Sequence, residues 1–279
     1  YTRMVQRKAL IEGARFAEAM KDPGAAKWYR GQAQALTAEV KKHFNPNNGR
    51  IYETLNLQIL EDTDEPMVKE RSGLDAGVIL GVLHGDTGDG YFGPTDDRVL
   101  STALQLKYAF KKIYPINQIE GLPGTAIGRY PEDVYDAGQN KAGNPWFLTT
   151  LAFAELFYKA AADFKNQGQI KITTYNQPFF QDLMPSEQFE RDMVFSRGEE
   201  IFARIILALQ NAADGYLLRV SLYANKDTGS MAEQFHRQTG AMVSAADLTW
   251  SYAAFITASW ARPTGVEYLD QMRALGLTE

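Results

Sequence analysis

Apolar residues recur every three or four positions along much of the chain, and long polar connections separate these segments. Residues 95–114, TDDRVLSTALQLKYAFKKIY, give a clear amphipathic pattern, which predicts a helix. Thr95 or Asp96 is a candidate N-cap for this helix, and Pro115 stands just past its end. Residues 198–223 carry apolar groups four apart on one face and predict a second, longer helix.

Other segments show the same helical spacing. Asn144 is interpreted as the cap of one of them, with Pro145 in its first turn, and Ser244 as the cap of the last. Residues 50–60 fit a short strand or an irregular segment, and residues 175–184 are ambiguous. The pattern predicts seven or eight helices and no convincing sheet, so the fold class is all-α. The remaining predicted helices are residues 2–20, 23–44, 73–85, 144–164 and 244–261, with a weak helical pattern in the tail beyond residue 263.

The connections between helices are alternately short and long, which indicates antiparallel helix pairs. Such pairs build either a solenoid or a closed helical barrel. A solenoid should show a sequence repeat of fixed length, and none is present, so the pattern favours a barrel of paired helices. No stretch has the composition of an interdomain linker, and residues 1–279 are predicted to form a single domain.

Composition excludes several classes of function. The net charge is −5 and no dense Lys/Arg run occurs, so nucleic-acid binding is not expected. No uninterrupted apolar run reaches the roughly 18 residues of a membrane span, so no membrane association is predicted. Cysteine is absent, which removes disulfides and thiol nucleophiles. The histidines His43, His84 and His236 are far apart in sequence, so a multi-histidine metal centre is not expected.

A glycine-rich connection follows the apolar segment at residues 73–85. It contains Asp86 and Asp89, but their spacing does not fit a calcium loop with alternating oxygen ligands and a terminal Glu. The sequence GDTGDG also lacks the lysine of a phosphate-binding loop. We therefore predict a surface loop, no metal site and no cofactor.

Residues 128–146, GRYPEDVYDAGQNKAGNPW, concentrate polar and aromatic side chains. An arginine presents five donors, and carboxylates beside it supply acceptors, so together they can bind a polyhydroxylated ligand. Aromatic faces suit the apolar face of a sugar ring. The alternative is a rigid turn in which Arg129 pairs with Glu132 or Asp133 and the rings belong to the core. The residues alone leave both interpretations open.

A second polar connection, GSMAEQFHRQTG at residues 229–240, lies between two apolar segments. Glu233, flanked by Gln234 and Phe235, is a candidate general base because an ionised carboxylate can hold and activate a water. The alternative is a solvated loop glutamate or a helix cap. His236 is interpreted as an exposed or packed loop residue.

These motifs in order resemble the glucoamylase family of glycoside hydrolases. The resemblance is carried by GRYPEDVY and GNPWFLTTLAFAELFY, then by GSMAEQF and SAADLTWSYAAFITA, with YTRMVQRKALIEG and RSGLDAGVILG also fitting. It runs from Tyr1 to about Arg262. It implies an (α/α)6 barrel with the active site at one end. The implied activity is exo-hydrolysis of α-1,4 and, more slowly, α-1,6 bonds from the non-reducing ends of starch or maltooligosaccharides, with release of β-glucose by inversion.

The resemblance also assigns roles to single residues. The family's general base falls on Glu233, and its substrate-binding arginine falls on Arg129. The acidic pair of the same motif falls on Glu132 and Asp133. The aromatic residues of the pocket fall on Tyr135, Trp146 and Trp250.

One part of the family pattern has no counterpart here. An inverting hydrolase needs two carboxyl groups about 6.5–9.5 Å apart, and the family's general acid, in a W-E-E motif, matches nothing in this chain. That motif and an early Arg-Asp pair are expected before Tyr1. The chain therefore looks like the C-terminal portion of a catalytic domain, with the missing N-terminal part as its partner and no starch-binding module after Pro263.

The substrate implied by the resemblance makes secretion the expected destination. The alternative to an enzyme is a catalytically silent α-glucan-binding or structural fragment, which the absence of the acid motif leaves open.

Overall fold

The computed structural model describes residues 1–55, 71–135 and 142–265, and the structure within these ranges is mostly helical. The predicted weak helix of the tail falls mainly on residues 266–279, outside the described residues. The described helices are α1 (Thr2–Ala19), α2 (Pro23–Lys41), α3 (Gly77–Gly85), α4 (Asp97–Ile113), α5 (Phe147–Gln167), α6 (Gln177–Leu183), α7 (Glu200–Tyr223) and α8 (Thr249–Ala261), with a 3-10 helix at Pro115–Gln118.

Within the described ranges, three small antiparallel sheets lie between the helices, although the sequence pattern indicated no convincing sheet. Each has two strands of two or three residues, so each is a local clasp between connections rather than a layer of the fold. One strand of the first sheet, Arg50–Ile51, forms at the start of the segment 50–60 that was open between strand and irregular structure, whereas its partner begins at Phe44, the last residue of a predicted helix. The pairs are β1 (Phe44–Asn45) with β2 (Arg50–Ile51), β3 (Gln169–Lys171) with β4 (Val194–Ser196), and β5 (Gln234–Phe235) with β6 (Met242–Val243).

Helix starts follow local capping chemistry in two cases. The carboxylate of Asp96 accepts a hydrogen bond from the Arg98 backbone N–H at 3.0 Å, which confirms Asp96 rather than Thr95 as the cap of α4. At α2, Asp22 accepts from the Ala25 N–H at 2.9 Å, and Pro23 occupies the first helical position.

Two predicted caps are wrong, for one physical reason. α5 begins at Phe147 and α8 begins at Thr249, so neither Asn144 nor Ser244 caps a helix. The Asn144 amide instead donates to the side chain of Gln234 at 3.1 Å. The Ser244 hydroxyl donates to the carboxylate of Glu233. Both polar groups therefore bond to the loop that carries Glu233 and Gln234, which is distant in sequence from Asn144 and part of the same hairpin for Ser244, in place of a helix terminus.

α5 is the central element of the core. It is buried along most of its length and packs against α7 on one side and α8 on another. Phe153 and Phe157 both contact the ring of Tyr216 on α7, with centroids 5.4 and 5.6 Å apart. Most of the buried apolar residues belong to one hydrophobic cluster. Because α5 is packed in this core, the position of its N-terminal end, where the two polar connections meet, is fixed.

α7 is, among the described residues, the one helix that is long and apolar enough to cross a membrane by length and composition. Arg204, Asp214 and Arg219 interrupt its apolar residues, which explains why no continuous apolar run is visible in the sequence. Its packing against α5 is that of a core helix.

Candidate active site

Glu233 is fixed by its backbone at the start of α5. Its N–H donates to the carbonyl of Ala245 at 2.8 Å, and its carbonyl accepts from the N–H of Phe147 at 3.3 Å. The residue directly precedes β5 and lies opposite the segment that follows β6. The loop is therefore attached both to the central helix and to its own hairpin.

Three donors converge on one oxygen of the Glu233 carboxylate. The Gln234 amide donates to Oε2 at 3.1 Å, and the Tyr135 hydroxyl donates to it at 3.4 Å. The Ser244 hydroxyl donates to the same oxygen. The other oxygen, Oε1, receives no hydrogen bond from the residues that the structure describes. The side chain is thus held in one orientation with an acceptor left for a water or a ligand.

A buried amide relay supports this arrangement. Gln234 is fully buried, and its Oε1 accepts from the Asn144 amide at 3.1 Å. Asn144 in turn accepts from the backbone N–H of Arg237 at 3.1 Å. The backbones are joined as well, since the N–H of Phe235 donates to the carbonyl of Pro145 at 3.1 Å. The two polar connections therefore form one unit around Glu233.

Arg129 is held by a bidentate ion pair with Asp133. The guanidinium Nε lies 2.8 Å from Oδ2, and Nη2 lies 2.6 Å from Oδ1. The Asp133 side chain is 1% exposed and the Arg129 side chain 35% exposed. Burial opposes the charge of Arg129, but the hydrogen bonds and the charge of Asp133 raise its pKa above the ordinary value.

The ion pair expected from a rigid turn is therefore present, with Asp133 as the partner rather than Glu132. This ion pair does not engage all the donors of the Arg129 guanidinium. Within the described ranges, Nη1 of Arg129 donates to no protein group, so these donors remain for a ligand.

Aromatic rings surround the arginine. The Arg129 Cζ lies 5.1 Å from the ring centroid of Tyr135 and 5.3 Å from that of Trp146. The two rings are themselves 6.2 Å apart and tilted by 45°. Tyr135 thus touches Glu233 with its hydroxyl and faces Arg129 with its ring, which brings the two predicted clusters together.

Trp146 is 8% exposed, and its Nε1 is buried. In the part of the chain that the structure describes, no acceptor lies within hydrogen-bond distance of this N–H. A buried donor without a partner costs free energy, so within the described residues the Trp146 indole is held by packing and not by a hydrogen bond.

Two predicted site residues lie outside this cluster. The Oε1 of Glu132 accepts from the backbone N–H of Ser72 at 3.0 Å, so its carboxylate ties the loop to another segment. Trp250 lies in the first turn of α8 and is 46% exposed. Trp250 takes no part in the described hydrogen bonds and ring contacts around Glu233 and Arg129.

Ser244 and Asn144 belong to the hydrogen-bond network around Glu233, and sequence reasoning assigned both wrongly as helix caps. Ser244 lies eleven residues after Glu233 and has a left-handed backbone with φ of 69°. Nothing in the local pattern signals that its hydroxyl turns back to the loop. Gln234 was visible as a neighbour of Glu233, but its connection to Asn144 depends on the tertiary fold.

The site is a polar cluster at the N-terminal end of α5. In residues 1–55, 71–135 and 142–265, no group of three or more His, Asp or Glu side chains could hold a metal ion. What the arrangement offers is an oriented carboxylate, guanidinium donors and aromatic walls, which together can bind a polyhydroxylated ring and orient a water beside it.

Comparison with known proteins agrees with these observations. The family described as Glycosyl hydrolases family 15 matches residues 1–260. The glucoamylase of Blastobotrys adeninivorans is 34% identical over 267 residues, covering 94% of this chain and 41% of the relative. Glucoamylase 1 of Rhizopus oryzae is 34% identical, covering 94% of this chain and 42% of the relative. This chain thus spans about two fifths of the length of these relatives.

Solved structures show the same relation. The glucoamylase of Saccharomycopsis fibuligera superposes with a TM-score of 0.81 at 29% identity, covering 98% of this chain and 56% of that one. The family 15 glucoamylase of Hypocrea jecorina superposes with a TM-score of 0.77 at 33% identity, covering 92% of this chain and 41% of that one.

Glucoamylase structures have an (α/α)6 barrel, so these matches confirm the predicted fold class, with this chain corresponding to part of the barrel. The resemblance of the motifs is confirmed by the match along the sequence. This chain belongs to family 15 of the glycosyl hydrolases.

Proposed function

We propose that this chain supplies the general-base half of an inverting exo-glucosidase. In this proposal the complete enzyme hydrolyses α-1,4 and, more slowly, α-1,6 glucosidic bonds from the non-reducing ends of starch or maltooligosaccharides and releases β-glucose. The observation that supports it best is the Glu233 carboxylate, oriented by Tyr135, Gln234 and Ser244 beside the Arg129 cluster.

Glu233 has the geometry required of a general base. Its Oε2 is engaged by three donors, while Oε1 is without a described protein donor and can accept from a water. In an inverting hydrolase this water attacks the anomeric carbon from the face opposite the leaving group, and the base takes its proton. The half-buried position of the side chain keeps it accessible to a substrate.

Arg129 is proposed to bind hydroxyl groups of the glucose unit at the non-reducing end. Asp133 fixes two of its N–H groups and leaves the others directed elsewhere. Tyr135 and Trp146 add apolar surface beside the guanidinium. Asp133 acts here by orienting Arg129. Glu132 and Trp250 remain proposed binding residues on the strength of the family motif alone.

The general acid is proposed to lie in a segment preceding Tyr1. Asp133, the carboxylate nearest to Arg129, is consumed by the ion pair, and Glu132 is bonded to a backbone N–H. The leaving oxygen therefore needs a proton donor from outside the described cluster. Without it, the same site would remain as a silent glucan-binding fragment.

The surface of α8 fits a missing neighbour. This helix exposes large apolar side chains along its length, more than an isolated surface helix of a stable domain usually shows. We propose that the upstream part of the same barrel covers them, so that this chain and that part form a single catalytic domain. The residues proposed to be covered are Phe255, Ile256 and Trp260, at 45%, 45% and 81% exposed.

The substrate also indicates where the protein works. Polymeric starch is met outside the cell, so we propose an extracellular or periplasmic location for the complete enzyme.

A substitution of the base tests the proposal. In the complete polypeptide that contains this chain, Glu233→Gln should reduce kcat for maltose by about 10²- to 10⁴-fold, the range of general-base catalysis. The conservative amide keeps the shape of the side chain and its acceptor for Ser244. Glu120→Gln, in an exposed loop, is the matched control and should leave kcat unchanged. Glucose release by Glu233→Gln close to that of the wild type would refute the assignment.

A further inference from the structure

The segment of residues 71–77, which leads into α3, packs directly against the loop of residues 129–133. The backbone N–H of Ala76 donates to the carbonyl of Arg129 at 2.7 Å. The backbone N–H of Ser72 donates to the Glu132 carboxylate at 3.0 Å. Two hydrogen bonds, one at each end of the loop, therefore set the position of the Arg129 backbone.

Between these two bonds, Arg71 stacks on Tyr130. The guanidinium carbon of Arg71 lies 4.0 Å from the centroid of the Tyr130 ring, well inside the range of a cation–π contact. Arg71 is itself held by Asp75, with Nη2 and Oδ2 at 3.0 Å, and more loosely by Glu53 at 4.0 Å. Arg71 is one third exposed and Asp75 15% exposed, so the pair is partly shielded from water.

Asp75 cannot easily follow a displaced Arg71. Its other oxygen, Oδ1, accepts from the backbone N–H of Gly77 at 2.7 Å, at the start of α3. The carboxylate is thus anchored to a helix, and the arginine is anchored to the carboxylate.

The Tyr130 ring connects this anchor to the site. The same ring lies 5.4 Å from the guanidinium carbon of Arg129, the neighbouring residue. Arg71 and Arg129 therefore both contact the Tyr130 ring, and the position of the ring fixes the space that Arg129 can occupy. If Arg71 is removed, the ring loses its closest cationic contact and can turn, and Arg129 loses one wall of its surroundings.

We infer that Arg71, anchored by Asp75 and acting through Tyr130, is a positioning residue for the ligand-binding arginine Arg129. In this inference Arg71 itself does not contact the substrate. The inference rests on the proposed function, since it assumes that Arg129 binds sugar hydroxyls.

The test compares Arg71→Gln, Arg71→Lys and Arg98→Gln in the complete polypeptide. Arg98 is a matched control because it has the same kind of environment in another part of the fold. Arg98 pairs with Asp96 at 2.6 Å, lies 4.4 Å from the Phe92 ring centroid and is 26% exposed. The measurements are kcat and KM for maltose, the dissociation constant of a pseudo-tetrasaccharide inhibitor by calorimetry, and the melting temperature.

Arg71→Gln should raise KM and the inhibitor dissociation constant by about 2- to 30-fold, the range that a cation–π contact contributes. Because Arg129 binds the ground state and the transition state alike, kcat should stay within about twofold of the wild type. Arg71→Lys keeps the charge and the pairing with Asp75, so its KM and inhibitor dissociation constant should lie between those of the wild type and those of Arg71→Gln. Arg98→Gln should leave KM and inhibitor binding unchanged, whatever it does to the melting temperature.

Equal KM and equal inhibitor binding in Arg71→Gln and Arg98→Gln would overturn the inference, as would a lower melting temperature of Arg71→Gln with KM unchanged. If Arg71→Gln does not fold, Arg71→Lys decides the matter, and a KM equal to that of the wild type overturns the inference. A wild-type polypeptide that neither releases glucose nor binds the inhibitor would refute the proposed function, which is a different outcome.

Discussion

The substitution Asp133→Asn tests how much the site depends on one buried carboxylate. Asp133 accepts two hydrogen bonds from Arg129, at 2.8 and 2.6 Å, and one from the backbone N–H of Tyr135 at 3.0 Å. An asparagine keeps one acceptor oxygen but loses the charge and replaces the second acceptor with a donor that faces Arg129. The change therefore removes one charge-assisted bond and sets an N–H against an N–H.

The expected loss of stability follows from the burial of the pair. Breaking a fully buried ion pair costs about 3–5 kcal/mol. Asp133 is 1% exposed but Arg129 is 35% exposed, so water compensates the arginine in part. We expect the free energy of unfolding to fall by about 2 kcal/mol, below the buried-pair range because of this screening.

The effect on binding comes from the freed arginine. A hydrogen bond to a charged group contributes about 1.5–3 kcal/mol, which corresponds to roughly 10- to 150-fold in affinity. Asp133→Asn should therefore raise KM for maltose by about tenfold or more, since Arg129 loses its fixed orientation. Urea unfolding gives the stability change, and initial-rate kinetics in the complete polypeptide give KM.

Asp192→Asn is the control, because Asp192 is 68% exposed and forms only loose pairs with Lys171 and Arg191. It should change stability by no more than about 0.5 kcal/mol. An Asp133→Asn protein whose unfolding free energy and KM both match those of the control would refute the reasoning from burial.

Three further changes probe other parts of the structure. Ser244→Ala removes a donor to the Glu233 carboxylate, and kcat for maltose should fall by about 10- to 100-fold if that bond orients the base; an unchanged kcat would show that Gln234 and Tyr135 suffice. Burial raises the pKa of Asp75 to about 6, so folding favours its protonated form and stability falls as the pH rises from about 4 to 6. Asp75→Asn should remove up to about 3 kcal/mol of that total change in stability, measured by urea unfolding across this range, and a pH dependence equal to that of the wild type would contradict it. Gly240→Ala should lower the melting temperature, since Gly240 has φ of 75° and an added Cβ would collide with the Tyr223 ring; an unchanged melting temperature would mean that the loop relaxes freely.

The helices were accessible to sequence reasoning because their signal is local. The cap of α4 could be narrowed to Thr95 or Asp96, and the structure selects Asp96, whose carboxylate accepts from the N–H two residues further on. In α4 the residues from Val99 to Leu104 are buried on all sides, whereas further along the helix the buried residues Leu106 and Phe110 are four apart, as the spacing of the apolar groups indicates. The fold class follows from several such segments taken in order.

The errors fall where a polar side chain has two possible partners. Asn144 and Ser244 both precede helices and both suit an N-cap, so local reasoning assigned them there. In the structure they bond to Gln234 and Glu233, which are 90 and 11 residues away. Such long-range partners compete with capping, and only the tertiary fold decides between them.

The sequence indicated which residues belong to the candidate site, but not which contacts join them. The motif identified Arg129 and Glu233, separated by about a hundred residues, as members of one site. That Tyr135 joins them, with its hydroxyl on Glu233 and its ring facing Arg129, depends on the loop conformation. The preference of Arg129 for Asp133 over Glu132 likewise reflects the turn between them, which directs Glu132 towards Ser72.

The stereochemistry of the released sugar tests the central claim most directly. If Glu233 activates a water on the face opposite the leaving group, hydrolysis of an α-linked substrate gives the β-anomer first. Proton NMR of the complete polypeptide with maltoheptaose, recorded before the anomers equilibrate, should show β-glucose as the initial product. Initial release of α-glucose would mean that the configuration is retained, and Glu233 would not be the water-activating base described here.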